Sequence, residues 1–169
     1  MRVLIDQCRD RVRALAAPAQ EQSPGAALVD LEEVIDRWQL VRPAIQLERT
    51  GSISGHERVD ASVGHLLQAL LNNAADASEQ SGHTRVDLRL AIDAGQLIGE
   101  IRDYGPGFSE TAPLLPGTLF RSNKPDGLGI GLALSHATVE RLGGELSMHA
   151  SPGGRGVTVS FKLPAGARP

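Results

Sequence analysis

Between Ala61 and Glu79 apolar side chains recur at helical spacing, and directly afterwards Val86, Leu88 and Leu90 alternate with Asp87, Arg89 and Ala91. This switch from a period of about 3.6 to a period of about 2 predicts a long amphipathic helix followed by a strand with one apolar face. Each needs the other to bury its apolar side. Leu31, Val34, Ile35, Trp38 and Val41 form a second helical stripe that ends before Pro43, and Ile130 to Leu142 a third, ended by Gly143 and Gly144. Extended segments are expected at Ala26 to Asp30, at Ala44 to Arg49, at Arg58 to Val59 beyond the Gly51 to Gly55 turn, and at Leu97 to Asp103. The last of these pairs back on Val86 to Leu90 through a hairpin at Asp93 to Gln96, and Glu145 to Ala150 with Gly156 to Leu163 makes a closing hairpin. No internal repeat is visible. The order predicts an α+β fold, a two-layer sandwich with helices packed on one face of a mixed, mainly antiparallel sheet.

The chain has 169 residues, a common size for one domain with a sizeable core. Val3, Leu4, Cys8, Val12 and Leu15 mark a separate amphipathic helix stopped by Pro18, and Gln20 to Gly25 reads as a linker. The expected organisation is therefore a helix over 1–19, a linker over 20–25 and the main domain over 26–169. A net charge of -3 gives no domain-wide basic field, which argues against nonspecific nucleic-acid binding, so any phosphate must be met locally. The single cysteine excludes an internal disulfide framework and fits a reducing cytosol. No apolar run approaches the roughly 18 residues of a membrane span. RVLIDQCRDRV is charged where a signal peptide would be apolar, so a soluble, cytoplasmic fragment is expected.

Tyr104 to Gly127 is rich in Gly, Pro and Ser and exceeds the roughly 12 to 15 residues of most structureless loops, the mark of a segment that binds something. D-Y-G-P-G, Asp103 to Gly107, sets a carboxylate at a strand end beside glycines that let a flat ring approach; adenine offers the matching amine, although an Asp-Gly turn explains the same letters. G-L-G-I-G-L, Gly127 to Leu132, opens a helix whose free N–H groups and positive dipole end could hold phosphates. It lacks the Gly-Lys-Ser/Thr ending of the Walker loop and the preceding strand of the dinucleotide fingerprint, and a glycine-rich linker is its plain alternative. N-N-A-A-D-A, Asn72 to Ala77, offers in Asn73 an amide oxygen suited to Mg²⁺, or simply a solvent-facing asparagine.

In this order the segments resemble the catalytic domains of two-component sensor histidine kinases, which share the Bergerat-type ATP-binding sandwich. L-L-N-N-A-A-D-A is similar to their N box, D-Y-G-P-G to the first glycine box, L-F-R-S-N-K-P to the F box and lid, G-L-G-I-G-L to the second glycine box, and G-R-G-V-T-V-S-F-K-L-P to the terminal strand. The likeness covers about Ala26 to Pro164. It implies ATP and Mg²⁺ as ligands, with Asn73 on the metal, Asp103 reading adenine, and Gly105 and Gly107 shaping the base pocket. It further implies nucleotide contacts from Asp76, Phe120, Arg121, Lys124, Gly127, Leu128, Gly129, Ile130, Gly131 and Leu132, and from Thr158 near adenine. No acid or base is assigned, in keeping with a transfer that needs positioning and charge neutralisation.

Three departures from the family pattern stand out. Four residues before Asn73, where these kinases usually carry a polar residue and the hydrolysing relatives a glutamate, this chain has Ala69. Gly117 replaces the first F-box phenylalanine, which leaves Phe120 alone. None of His56, His65, His83, His136 and His149 sits in a His-acidic-x-x-x-Pro phosphoacceptor context. The resemblance therefore implies a phosphate-accepting histidine on a separate domain of the same kinase, with a response regulator downstream. The Val3 to Ala16 helix then looks like the end of the histidine-bearing dimerisation domain of a membrane-bound sensor. Q-C-R-D-R within it resembles the junction of RegB/PrrB-type redox-responsive kinases, which makes Cys8 a redox candidate; an ordinary buried cysteine is the alternative. The rival readings are a non-catalytic or anti-sigma-like ATP-binding module and an ATPase of the gyrase or MutL kind.

Overall fold

The computed structural model describes residues 27–53, 57–107 and 130–165. The chain enters through β1 (Leu28–Asp30), whose last residue also caps the first helix. Asp30 Oδ1 accepts from the N–H groups of Glu32 and Glu33 at 2.8 and 3.3 Å, and both glutamates complement the positive end of the dipole. Helix α1 (Leu31–Val41) stops as Arg42 N–H reaches back to the Trp38 carbonyl and Pro43 follows. It buries Leu31, Ile35 and Trp38.

Strand β2 (Gln46–Ser52) leads to β3 (Arg58–Asp60), which pairs with β1 in a small antiparallel ribbon. Asp60 caps α2 (Ala61–Gln80) by accepting from Ser62 N–H at 2.8 Å, and hydrogen bonding by Ser62 holds its carboxyl below the ordinary carboxylate range. The buried stripe of α2, Leu67, Leu70, Leu71, Ala74, Ala75 and Ser78, follows the spacing that the sequence predicts. Strands β4 (Arg85–Asp93) and β5 (Gln96–Arg102) form the expected hairpin, turning at Ala94 and Gly95, which both have positive φ. Helix α3 (Ile130–Arg141) ends at Gly143, with φ +73°, before the closing hairpin of β6 (Glu145–Ala150) and β7 (Val157–Pro164).

The main sheet runs β2-β4-β5-β7-β6. Strand β2 pairs parallel to β4 and every other pairing is antiparallel, so the sheet is mixed. One face is apolar, with Val86, Leu88, Leu90, Leu97, Ile101, Val159, Phe161 and Leu163 buried beneath the three helices. The opposite face carries Asp87, Arg89, Glu100, Arg102, Ser160 and Lys162. Sequence and structure differ at β2, which starts at Gln46 rather than Ala44 and continues through Gly51 instead of turning there. Gly51 lies at φ +111°, and a Cβ on it would stand 1.9 Å from the Leu90 carbonyl oxygen, so the backbones approach too closely for any side chain. Among the described residues no helix is long and apolar enough to cross a membrane.

Gly99 is a tight side-chain contact within the core, because a Cβ there would lie 2.2 Å from the Phe161 ring. Gly99→Ala is expected to lower unfolding free energy in urea by about 1–3 kcal/mol. Adding Phe161→Leu should recover part of that loss, since the shorter side chain makes room for the methyl group. A Gly99→Ala variant as stable as wild type would contradict this packing.

Candidate functional site

Asp103 stands where β5 leaves the sheet. It continues the alternation that puts Leu97, Gly99 and Ile101 on the helix-covered face, and only 7% of its surface is exposed. A buried carboxylate needs donors. Oδ1 accepts from Gly105 N–H at 2.9 Å and from Val157 N–H at 3.1 Å, while Asp103 N–H donates to the Val157 carbonyl at 3.0 Å. Among the described residues both hydrogen bonds to the carboxylate fall on Oδ1. Burial pushes the Asp103 pKa up from its ordinary value, opposed by the Gly105 and Val157 N–H groups.

Three glycines make room for this geometry. A Cβ on Gly156 would lie 2.0 Å from the Asp103 carbonyl oxygen, and one on Gly105 would lie 2.7 Å from the Ala77 carbonyl oxygen. Gly107 has φ +78° and passes close to Gly156. The loop after Asp103 therefore crosses directly over the last turns of α2. Ser78, fully buried in α2, fixes that crossing: its hydroxyl donates to the Arg85 carbonyl at 2.9 Å and accepts from Tyr104 N–H at 3.0 Å. Gly156 and Ser78 were both missed by reasoning from the sequence. Ser78 was open to discovery, because a serine at a core position of a helical stripe must find partners.

Asn72 and Asn73 separate cleanly. Asn72 Oδ1 accepts from Trp38 Nε1–H at 3.0 Å, which ties α2 to α1. Asn73 is half-buried and lies one turn before Ala77, the residue under Gly105, so α2 brings it toward the Asp103 region. Asp76, expected among the nucleotide ligands, forms an ion pair with Arg42 at 2.7 Å, and Glu79 meets the same guanidinium at 3.4 Å. That pairing gives Asp76 a part in joining α1 to α2.

Thr158 is not brought beside the Asp103 carboxylate. It pairs with Arg102 across the β5–β7 ladder, its hydroxyl lies 2.8 Å from that of Ser151, and the neighbour of Asp103 on the helix-covered face is Val157. The strict alternation of a strand accounts for the difference, because a shift of one residue exchanges the faces. Ile130 and Gly131 open α3, and Leu132 packs against the core. Cys8, Gly117, Phe120, Arg121, Lys124, Gly127, Leu128 and Gly129 lie outside the described residues, as do the 1–19 helix and the 20–25 linker.

Residues 59–167 match the model of the histidine kinase-, DNA gyrase B-, and HSP90-like ATPase family. The C4-dicarboxylate transport sensor protein DctS of Rhodobacter capsulatus is 28% identical over 163 residues, which span 90% of this chain and 25% of DctS. The sensor histidine kinase ZraS of Klebsiella oxytoca is 34% identical over 145 residues, or 80% of this chain and 31% of ZraS. The chain thus spans about a third or less of the length of these curated relatives. Among solved structures, the mycobacterial sensor histidine kinase MprB superposes with a TM-score of 0.64 at 31% identity, covering 83% of this chain and 97% of that one. With the family model matched over more than half its length, the chain belongs to the histidine kinase-, DNA gyrase B-, and HSP90-like ATPase family, as the ATP-binding catalytic domain of a sensor histidine kinase.

Proposed function

We propose that this domain binds ATP with Mg²⁺ and passes the γ-phosphate to a histidine nitrogen on a separate domain of the same kinase, leaving ADP; a response-regulator aspartate receives the phosphate next. The domain would then work on the cytoplasmic side of a membrane-bound sensor. The observation that carries the reading is the buried Asp103 carboxylate, with Oδ1 fixed by two backbone donors, so that Oδ2 is the oxygen offered to an incoming amine. Adenine carries such an amine, and the close backbone packing that Gly105 and Gly156 permit holds the carboxylate in place for it.

The donor set fits Mg²⁺ bound through the nucleotide. Among the described residues no three His, Cys, Asp or Glu side chains gather as a metal cage, and Asn73 offers a single neutral oxygen. Mg²⁺ retains waters and phosphate oxygens, so one protein ligand is enough. When bound, the metal neutralises phosphate charge. In this reading Asp103 orients the base, Asn73 ties the metal to α2, and the amino end of α3 with Gly127, Gly129 and Gly131 faces the phosphates. Arg121 and Lys124 add positive charge. Ala69, where the hydrolysing relatives carry a glutamate, has no carboxylate to activate water. That methyl group supports transfer to a separate acceptor over release to water.

Titration with a non-hydrolysable ATP analogue tests the assignments. Asp103→Asn is expected to weaken binding about tenfold to a hundredfold with or without Mg²⁺, the loss of one charge-assisted hydrogen bond. Asn73→Ala should instead remove most of the benefit that Mg²⁺ confers and leave metal-free binding near wild type. Added γ-labelled ATP and a histidine-bearing domain in trans should yield phosphohistidine; rapid steady hydrolysis without that domain would overturn the proposed transfer.

The raised pKa of Asp103 has a consequence for stability. An acid whose folded-state pKa is raised destabilises the fold once ionised, so the cost is absent below the ordinary value near 4 and grows as pH climbs through the raised one. Asp103→Asn keeps an acceptor for both N–H groups and removes the charge. Without nucleotide, the variant is expected to melt at or above the wild-type temperature at pH 7, with the two curves converging below about pH 4. A variant melting well below wild type at pH 7 would contradict this.

A further inference from the structure

Asp103 is flanked in sequence by Arg102 and Tyr104, and these neighbours meet on the face of the sheet opposite the described helices. The Arg102 guanidinium carbon lies 4.9 Å from the centre of the Tyr104 ring, and that of Arg85 lies 5.4 Å from it. Tyr104 O–H donates to Asp87 Oδ2 at 2.7 Å, while Asp87 Oδ1 accepts from Arg85 Nε–H at the same distance. The His83 ring tilts against Tyr104 at 6.2 Å. The Tyr104 main chain is held separately, by its N–H on Ser78 Oγ. Arg102 reaches the Pro152 carbonyl through Nη2 at 3.3 Å, and its buried Nε has no hydrogen-bond partner among the described residues. An unsatisfied buried N–H costs free energy, and the stacking of this guanidinium on Tyr104 gives a reason for keeping the side chain there.

Tyr104 is also the central residue of the turn that Asp103 Oδ1 makes with Gly105 N–H. Holding its ring and its N–H fixes the torsions between the carboxylate and the donor that orients it. We infer that Tyr104, gripped by Arg102, Arg85 and Asp87, is a positioning residue that aims the Asp103 carboxylate at the base amine before nucleotide arrives. None of the four side chains needs to touch the ligand. The inference rests on Asp103 reading adenine, and it adds that selectivity for adenine is set from the opposite face of the sheet.

The test compares ATP with purine riboside triphosphate, which lacks only the 6-amino group, by calorimetric titration of the full chain. Wild type is expected to prefer ATP by about tenfold or more. Tyr104→Ala should bring that ratio close to one, while its affinity for purine riboside triphosphate moves less than about threefold. Tyr104→Phe, which keeps the ring, should retain most of the preference. Asp87→Ala, farther from the site, should lower the ratio and supplies the reading if Tyr104→Ala does not fold. General structural damage would weaken both ligands alike. A wild-type ratio preserved in both Tyr104→Ala and Asp87→Ala would overturn the inference and leave Asp103 as the base reader. A wild type indifferent to the amine would overturn the role of Asp103 and the inference with it.

Discussion

The packing of α2 across the apolar face of the sheet is the contact on which the rest of the domain depends. Leu67, Leu70, Leu71, Ala74 and Ala75 bury one side of the helix against strand residues such as Val86, Leu88 and Ile101. That burial fixes the rotation of α2, and the rotation decides what each polar residue on it can do. Asn72 turns to Trp38, Asp76 and Glu79 turn to Arg42, Ser78 turns inward to Arg85 and Tyr104, and Asn73 is left half-buried one turn before Ala77. One hydrophobic stripe thus sorts adjacent polar residues into structural ties and, in the proposed reading, a ligand position. Rotation by a single residue, about 100°, would exchange Asn72 with Asn73 and leave neither task served.

Much of this was legible in the letters, because it depends on local pattern. The helical spacing of Leu31 to Val41 and of Ala61 to Gln80, the alternation from Val86 to Leu90, and the turn at Asp93 to Gln96 each report a short-range preference that packing reinforced. Asp103 was legible too, as a carboxylate at a strand end before glycines. What could not be read depends on contacts between segments far apart in sequence. The parallel seating of β2, the close pass of Gly51 against Leu90 and the packing of Gly156 against the Asp103 main chain leave no periodic trace. Thr158 shows the limit of matching by letters, since the β5–β7 register sends its side chain to the other face and brings Val157 beside Asp103.

The two faces of the sheet serve different ends near this site. The covered face supplies a low-dielectric surrounding, which sharpens any hydrogen bond that Asp103 makes and raises the free energy of its charged form. The open face carries the Arg85, Asp87, Arg102 and Tyr104 cluster, where solvent can hydrate charges that the covered face would penalise. A polar scaffold behind a buried carboxylate can therefore be rigid without adding unpaired charge to the pocket itself.

The bond between Val157 N–H and Asp103 spans 54 residues, at the end of the β5–β7 ladder. Among the described residues no other strand pairing closes so long a loop, and loop closure is an entropic cost met only when the intervening segments have found their places. The carboxylate is thus completed by the most non-local pairing of the fold. A chain released before β7 has been made lacks the Val157 donor and the Gly156 contact, so its Asp103 would stay solvated and unaimed. Ligand occupancy is accordingly linked to global folding, and nucleotide would protect the amides of the whole sheet from hydrogen exchange together, well beyond the residues it touches.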